Sequence, residues 1–261
     1  MDMLKLIEKK KRGEALTDAQ IHELIAAYVR HDIPDYQMSA FLMAVWFQGM
    51  TMPETLSLCD AMIRSGETMD LSSIEGIACD KHSSGGVGDK TTLVLAPLVS
   101  ACGAAVAKMS GRGLGHTGGT IDKLESIPGL RTDLDPDAFC RQVKEIRLAI
   151  SAQSGRLVPA DGMLYALRDV SGTVDSLPLI ASSIMSKKIA AGCGAILLDV
   201  KYGEGAFMRE RAQAEELCAC MKEIGRHFGR DVQTVLSDMN DPLGNAIGNI
   251  LEVKEAIMTL R

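Results

Sequence analysis

Aromatic residues are scarce in this sequence, at 4% of 261 residues. Stacking platforms for single-stranded nucleic acid need more of them. Positive charge is not in excess either: 28 Lys and Arg stand against 34 Asp and Glu, a net charge of −6. A nucleic-acid binder normally shows the opposite, basic footprint. The acidic balance leaves room for a small anionic ligand, because local charge and backbone N–H groups decide that. No uninterrupted apolar run approaches the ~20 residues of a membrane span. The Lys-rich start, 1–12, lacks the apolar core and small-residue cleavage site of a secretory signal. The seven cysteines are odd in number and lie in apolar stretches, and Cys218 and Cys220 have no second pair at zinc-finger spacing, so core residues of a reduced compartment are expected. No nucleic acid, no membrane and a cytoplasmic enzyme are the expectations.

What is present is ordinary in bulk, with 46% apolar and 24% charged residues, enough for one core plus a satellite. The first third reads as helices. Thr17 and Gln20 form a capping box ahead of Ile21, Leu24, Ile25 and Tyr28 at helical spacing. A second helix starts near Pro34-Asp35, and a third begins at Thr51, with Pro53 in its first turn and Glu54 completing a box, and ends at Gly66. From Gly76 short apolar runs alternate with helical patterns: 77–79 then 91–101, 104–109 then 120–126, 195–200 then 207–228, 232–236 then 243–260. Such alternation predicts an α/β domain with a largely parallel sheet. Between these blocks 164–192 returns to helix. The fold class is therefore α/β: a discontinuous all-helical domain over 1–70 and 160–192, and a parallel-sheet α/β domain over 71–159 and 193–261.

Two glycine-rich loops carry the chemistry. The stretch 81–89, Lys-His-Ser-Ser-Gly-Gly-Val-Gly-Asp, follows a short strand and precedes a helix opened by Thr91-Thr92. Strand, glycine loop and helix N-terminus together make an anion site. Lys81 adds a point charge, and Ser83 and Thr92 add hydroxyls. The spacing is neither a P-loop nor a dinucleotide fingerprint; a tight structural turn is the alternative reading. A second loop, 110–120, again leaves a strand and opens a helix, with Ser110 and Thr120 as hydroxyl donors. Two loops at neighbouring strand ends would face one crevice. Arg112 and His116 either join the site or brace the loop. A third constellation is Arg168, Ser183 and Lys187, the last two at i, i+4 on an otherwise apolar helix; a solvated helix edge is the alternative reading.

These blocks resemble the pyrimidine nucleoside phosphorylase and thymidine phosphorylase family. The run 110–125, Ser-Gly-Arg-Gly-Leu-Gly-His-Thr-Gly-Gly-Thr-Ile-Asp-Lys-Leu-Glu, is similar to that family's signature, and 81–89 and 182–188 agree as well. The resemblance covers the whole chain. It implies phosphate bound at Lys81, Ser83, Thr92, Ser110 and Thr120. It implies a pyrimidine bound at Tyr165, Arg168, Ser183 and Lys187, with His82 near the base carbonyl. Catalytic roles fall on His82, Arg168 and Lys187. Lys108 matches the position near the ribose 2′-hydroxyl in members that accept both ribo- and deoxyribonucleosides. A monovalent metal site, potassium, is implied at Gly88, Lys90, Leu243, Ala246 and Glu255, although position 90 carries lysine where threonine is expected.

The resemblance further implies phosphorolysis of uridine, thymidine or deoxyuridine to free base and (deoxy)ribose 1-phosphate, with phosphate as co-substrate and no organic cofactor. Its members have helical and α/β domains that close over their substrates, and a homodimer through the N-terminal helices is expected. They also continue beyond position 261, so the sheet is expected to be incomplete in this chain. A catalytically inactive, phosphate-binding remnant is the competing reading. An anthranilate-type phosphoribosyltransferase is another, but it needs paired acids for magnesium, and no such motif stands out.

Overall fold

The computed structural model describes residues 2–113 and 118–261. In chain order the elements are α1 (Met3–Lys11), α2 (Asp18–Val29), α3 (Asp35–Gln48), α4 (Met52–Arg64), β1 (Ala78–Ser83), α5 (Thr91–Ala101), β2 (Ala105–Ser110) and α6 (Thr120–Glu125). There follow α7 (Pro136–Ile146), β3 (Leu148–Ala152), α8 (Pro159–Ser171), α9 (Leu177–Ala190), β4 (Ala195–Tyr202), α10 (Arg211–His227), β5 (Asp231–Asp238) and α11 (Asn249–Leu260). The protein divides into two compact units, one of Met1–Thr68, Gly155–Ala190 and Ala219–Phe228, the other of Met69–Ser154, Ala191–Cys218 and Gly229–Arg261.

The first unit is all helix. Thr17 with Gln20 and Thr51 with Glu54 close the two capping boxes read from the sequence, each satisfying N–H groups that a helix start leaves open. α1 packs on α3, α2 on α4, and α4 on α9. Met38, Leu24, Val45 and Met62 form its interior. α1 is not evident in the sequence, because its buried members are only Met3, Leu6 and Lys10. Lys10 is covered since its ammonium meets the Glu54 carboxylate at 2.9 Å. Glu54 also accepts from Leu16 N at 2.9 Å and from Thr51 N at 2.8 Å, so this buried charge is fully engaged.

The units differ from the expected bounds by two residues at 69–70 and 191–192, which go with the sheet, and by more at two other places. Residues 155–159 belong with the helices, because Glu67 N donates to Arg156 O at 2.9 Å and Ala160 N to Ser65 Oγ at 3.1 Å. The segment 219–228 also belongs there rather than with the sheet, since Cys220, Met221 and Ile224 give it a buried apolar face.

The second unit is a five-stranded sheet in the order β3-β2-β1-β4-β5, with every pair parallel. Strand β3 and helix α7 are additions to the sequence reading. The chain turns between them at Arg147, held at φ 61° while its guanidinium donates to Glu75 O at 2.9 Å and Gly103 O at 3.1 Å. Strand residues such as Ala107, Ala149, Ile196, Leu198 and Val200 are buried, as a parallel sheet covered on both faces requires. Strand order runs outward from β1 to β3 and then reverses to β4. That reversal makes the carboxyl ends of β1 and β4 the topological switch point, where open α/β sheets bind ligands.

Candidate active site

Register places the charged residues at that switch point. Ser83 at the end of β1 lies opposite Asp199 of β4. Lys81, buried on β1, brings its Nζ to 2.8 Å from Asp199 Oδ2 and 3.9 Å from Asp89 Oδ2. Its contacts with the two carboxylates are ion pairs, and Lys81 Nζ has no further hydrogen-bond partner among the described residues. Lys201, two residues along β4, completes a square with Nζ 2.9 Å from Asp199 and 3.9 Å from Asp89. Burial alone would raise both carboxyls, but Lys81 and Lys201 hold Asp89 and Asp199 below the usual carboxylate range.

The first glycine loop hangs on this square. Ser84 N donates to Asp199 O at 3.0 Å, Lys201 N to Ser84 Oγ at 2.7 Å, and Gly85 N to Ser83 Oγ at 3.1 Å. Thr91 Oγ1 donates to Asp89 Oδ1 at 2.8 Å at the start of α5, whose second residue is the buried Thr92. On the neighbouring strand β2, Lys108 is buried and donates to Lys81 O at 2.5 Å, with Asp80 Oδ1 3.5 Å away. Its ammonium thus ties β2 to β1. His82 follows on β1, half-buried and paired in register with Leu198.

Ser110 ends β2 and Thr120 opens α6, so the second loop joins the strand next to β1. Residues 114–117, including His116, lie outside the described residues. Arg112 braces this loop: its guanidinium donates to Asp122 Oδ1 at 3.1 Å and to Glu125 at 2.6 and 2.9 Å. Asp122 in turn accepts from Gly113 N at 2.6 Å and Gly119 N at 2.9 Å.

The helical unit carries a separate constellation on α8 and α9. Asp161, Tyr165 and Arg168 stand at i, i+4 and i+7 along α8, hence on one face. Lys187 Nζ donates to Ser183 Oγ at 2.7 Å, one turn earlier on α9, and also to Asp161 Oδ2. Arg168 and Lys187 stand 5.8 and 6.0 Å from the centre of the Tyr165 ring, within cation–π range. Arg168 is 2% exposed, and its Nε, Nη1 and Nη2 donate to the carbonyls of Thr173 at 3.1 Å, Leu179 at 3.1 Å and Val174 at 2.6 Å. A guanidinium has five N–H donors, so its first duty is to hold the α8–α9 connection. Burial lowers the pKa of both Arg168 and Lys187, opposed by the Asp161 carboxylate.

Of the five positions implied for a metal, Lys90 supplies a cation of its own and three others surround it. Lys90 Nζ donates to Leu243 O, to Ala246 O at 2.6 Å and to Glu255 Oε2 at 2.6 Å. Gly88, at φ 74°, packs against Pro242 of the same loop. Glu255, mostly through that Lys90 hydrogen bond and the N–H of Asn245, titrates at about 2. The oxygens that would coordinate potassium are taken by an ammonium, and the residues present do not fit an additional cation at that point.

Two family descriptions match the chain. Residues 4–66 fit the glycosyl transferase family helical bundle domain, and 75–261 fit the glycosyl transferase family a/b domain. The chain belongs to this glycosyl transferase family. A pyrimidine-nucleoside phosphorylase from Geobacillus stearothermophilus is 60% identical over all of this chain, which covers 60% of that protein. One from Staphylococcus aureus strain USA300 is 58% identical, with the same coverage. The chain thus spans about 60% of the length of these curated relatives. The crystal structure of anthranilate phosphoribosyltransferase from Thermus thermophilus shares the fold, with a TM-score of 0.71 at 20% identity over 91% of this chain and 67% of that one.

Within this family member three site residues escape sequence reading. Asp199 and Lys201 lie inside the apolar run of β4, where charges at alternate positions near a parallel strand's end were the available signal. Asp161 sits in the first turn of α8, after Pro159, where an acid reads as an ordinary helix-dipole partner.

Proposed function

We propose that this chain is the nucleoside- and phosphate-binding portion of a pyrimidine-nucleoside phosphorylase. The observation that carries the reading is Lys81: a buried ammonium at the switch point, ion-paired with Asp199 and with no further hydrogen-bond partner among the described residues. An ammonium has three donors, and a phosphate oxygen supplies an acceptor for one that the carboxylates leave open. Ser83, Thr92, Ser110 and Thr120 are the hydroxyl donors around that anion, and Lys108 is the residue assigned to the ribose 2′-hydroxyl. The names of the relatives at 58–60% identity support the same reaction.

In this reading a phosphate oxygen attacks C1′ of uridine, thymidine or deoxyuridine as the C1′–N1 bond breaks. The bonding pair leaves with the pyrimidine, and the sugar passes through an oxocarbenium-like state to the 1-phosphate. The base departs as an anion. Lys187 and the two unused N–H groups of Arg168 stabilise it, Tyr165 packs on the ring, Ser183 hydrogen-bonds it, and His82 donates to its carbonyl. No protein nucleophile is needed; catalysis is positioning and charge stabilisation.

We also assign a homodimer to the helical unit, whose α3 exposes Tyr36 (74%) and Phe47 (71%). The seven cysteines, all free, fit a reducing cytoplasm. No described helix is long and apolar enough to cross a membrane.

The test is phosphate-dependent release of uracil from uridine and thymine from thymidine by the full-length protein. Lys81→Met should raise the KM for phosphate by roughly 10- to 100-fold. A protein that is stabilised by phosphate yet releases no base would instead be the inactive remnant. Light scattering that reports a monomer would remove the dimer.

A further inference from the structure

Lys90 is the N-cap residue of α5, yet its side chain turns away from the helix start to the loop before α11. It is 4% exposed. An ammonium has three donors, and here each has an acceptor: two backbone carbonyls, Leu243 and Ala246, and the Glu255 carboxylate. The cage is shaped for this. Gly244 sits at φ 71°, and a Cβ there would stand 2.7 Å from Glu255 Oε2. Asn245 N and Ala246 N donate to the same carboxylate at 2.8 and 3.1 Å, fixing it against the loop.

A second lysine frames the arrangement. Lys123 Nζ donates to Asp89 O at 2.6 Å and pairs with Glu252 of α11 at 2.7 Å. The peptide joining Asp89 to Lys90 is therefore held from both sides, and Asp89 belongs to the charged square at the strand ends. Two carbonyls and a carboxylate around one site are the donor set of a hard monovalent cation, and an ammonium matches potassium in charge and closely in size. Two cations at bonding distance from the same oxygens would repel each other strongly.

We infer that the Lys90 ammonium is a built-in cation that takes the place of the monovalent metal ion and makes this protein independent of potassium. The lysine fastens the 241–248 loop and α11 to the start of α5, the work a bound ion would otherwise do. A chain shortened at position 90 should regain a requirement for an external cation of that size.

The experiment measures thermal melting of the full protein in potassium chloride and in tetramethylammonium chloride at equal ionic strength. The wild type should melt at the same temperature in both. Lys90→Thr should melt about 5 °C or more lower in tetramethylammonium and recover most of that loss in potassium or ammonium chloride. A potassium-specific rise in the wild type would overturn the inference, as would a Lys90→Thr protein indifferent to the salt. Should Lys90→Thr fail to fold, thallium soaked into wild-type crystals decides. Anomalous density between the Leu243 and Ala246 carbonyls would refute the built-in cation; its absence there, with thallium bound elsewhere, supports it.

Discussion

Asp161 and Lys187 join the first turn of α8 to the last turn of α9 through an ion pair, while the other carboxylate oxygen, Asp161 Oδ1, is buried without a partner among the described residues. The pair holds Lys187 charged against the desolvation that pulls its pKa down. Asp161→Asn keeps the shape and removes that support. We expect kcat/KM for the nucleoside to fall by roughly 10- to 100-fold. The alkaline limb of its pH profile should also move to lower pH, because Lys187 then loses its proton more easily. A fall in rate with an unmoved alkaline limb would mean that Asp161 acts only as a brace.

Lys201 is not among the residues expected at the site, yet it pairs with Asp199 at 2.9 Å and is 5% exposed. Lys201→Met leaves Lys81 as the cation that Asp89 and Asp199 share among the described residues. Breaking a buried pair from one side costs about 3–5 kcal/mol, and a chain of this size should then melt roughly 6–20 °C lower. The KM for phosphate should rise as well, since Lys81 becomes committed to two carboxylates. Unchanged melting would show that Lys201 is dispensable to the square.

Acid should undo the same cluster. Asp89 and Asp199 titrate below their ordinary range in the folded protein. Their contribution is therefore complete above the unfolded carboxyl value of about 3.9 and is lost as pH falls from there through the depressed folded values. Melting followed from pH 6 to pH 3 should drop steeply below about pH 4. Asp199→Asn should start lower at pH 6 and lose less on acidification. Parallel curves would place the acid sensitivity elsewhere.

The sequence shows most of this fold, because its signals are local. The capping boxes at Thr17 and Thr51 and the strand–helix alternation after Gly76 each lie within a few residues of one another. What it hides depends on distant partners. α1 looks like a polar tail until Lys10 finds Glu54, 44 residues on. Lys90 reads as an odd substitution in a metal site until the 241–248 loop, more than 150 residues away, closes over its ammonium. Arg168 reads as a ligand for the base, and its side chain alone cannot reveal that three backbone carbonyls claim it first.

Gly66 sets the position of the helix that carries Asp161, Tyr165 and Arg168. Its backbone lies so close to 156–159 that an added Cβ would collide with Arg156 O and Pro159 Cδ and stand 3.0 Å from Val158 N. Neither the carbonyl nor the proline ring can swing aside as a flexible side chain would. Val158, buried at φ 53°, is already held in the left-handed region that a β-branched residue avoids. Gly66→Ala should therefore destabilise the protein by about 1–3 kcal/mol, read as a lower urea midpoint with an unchanged slope. The displaced start of α8 should raise the KM for the nucleoside while leaving the KM for phosphate alone, because the residues proposed to hold phosphate belong to the other unit. A Gly66→Ala protein with a wild-type urea midpoint would show that this contact does not fix α8.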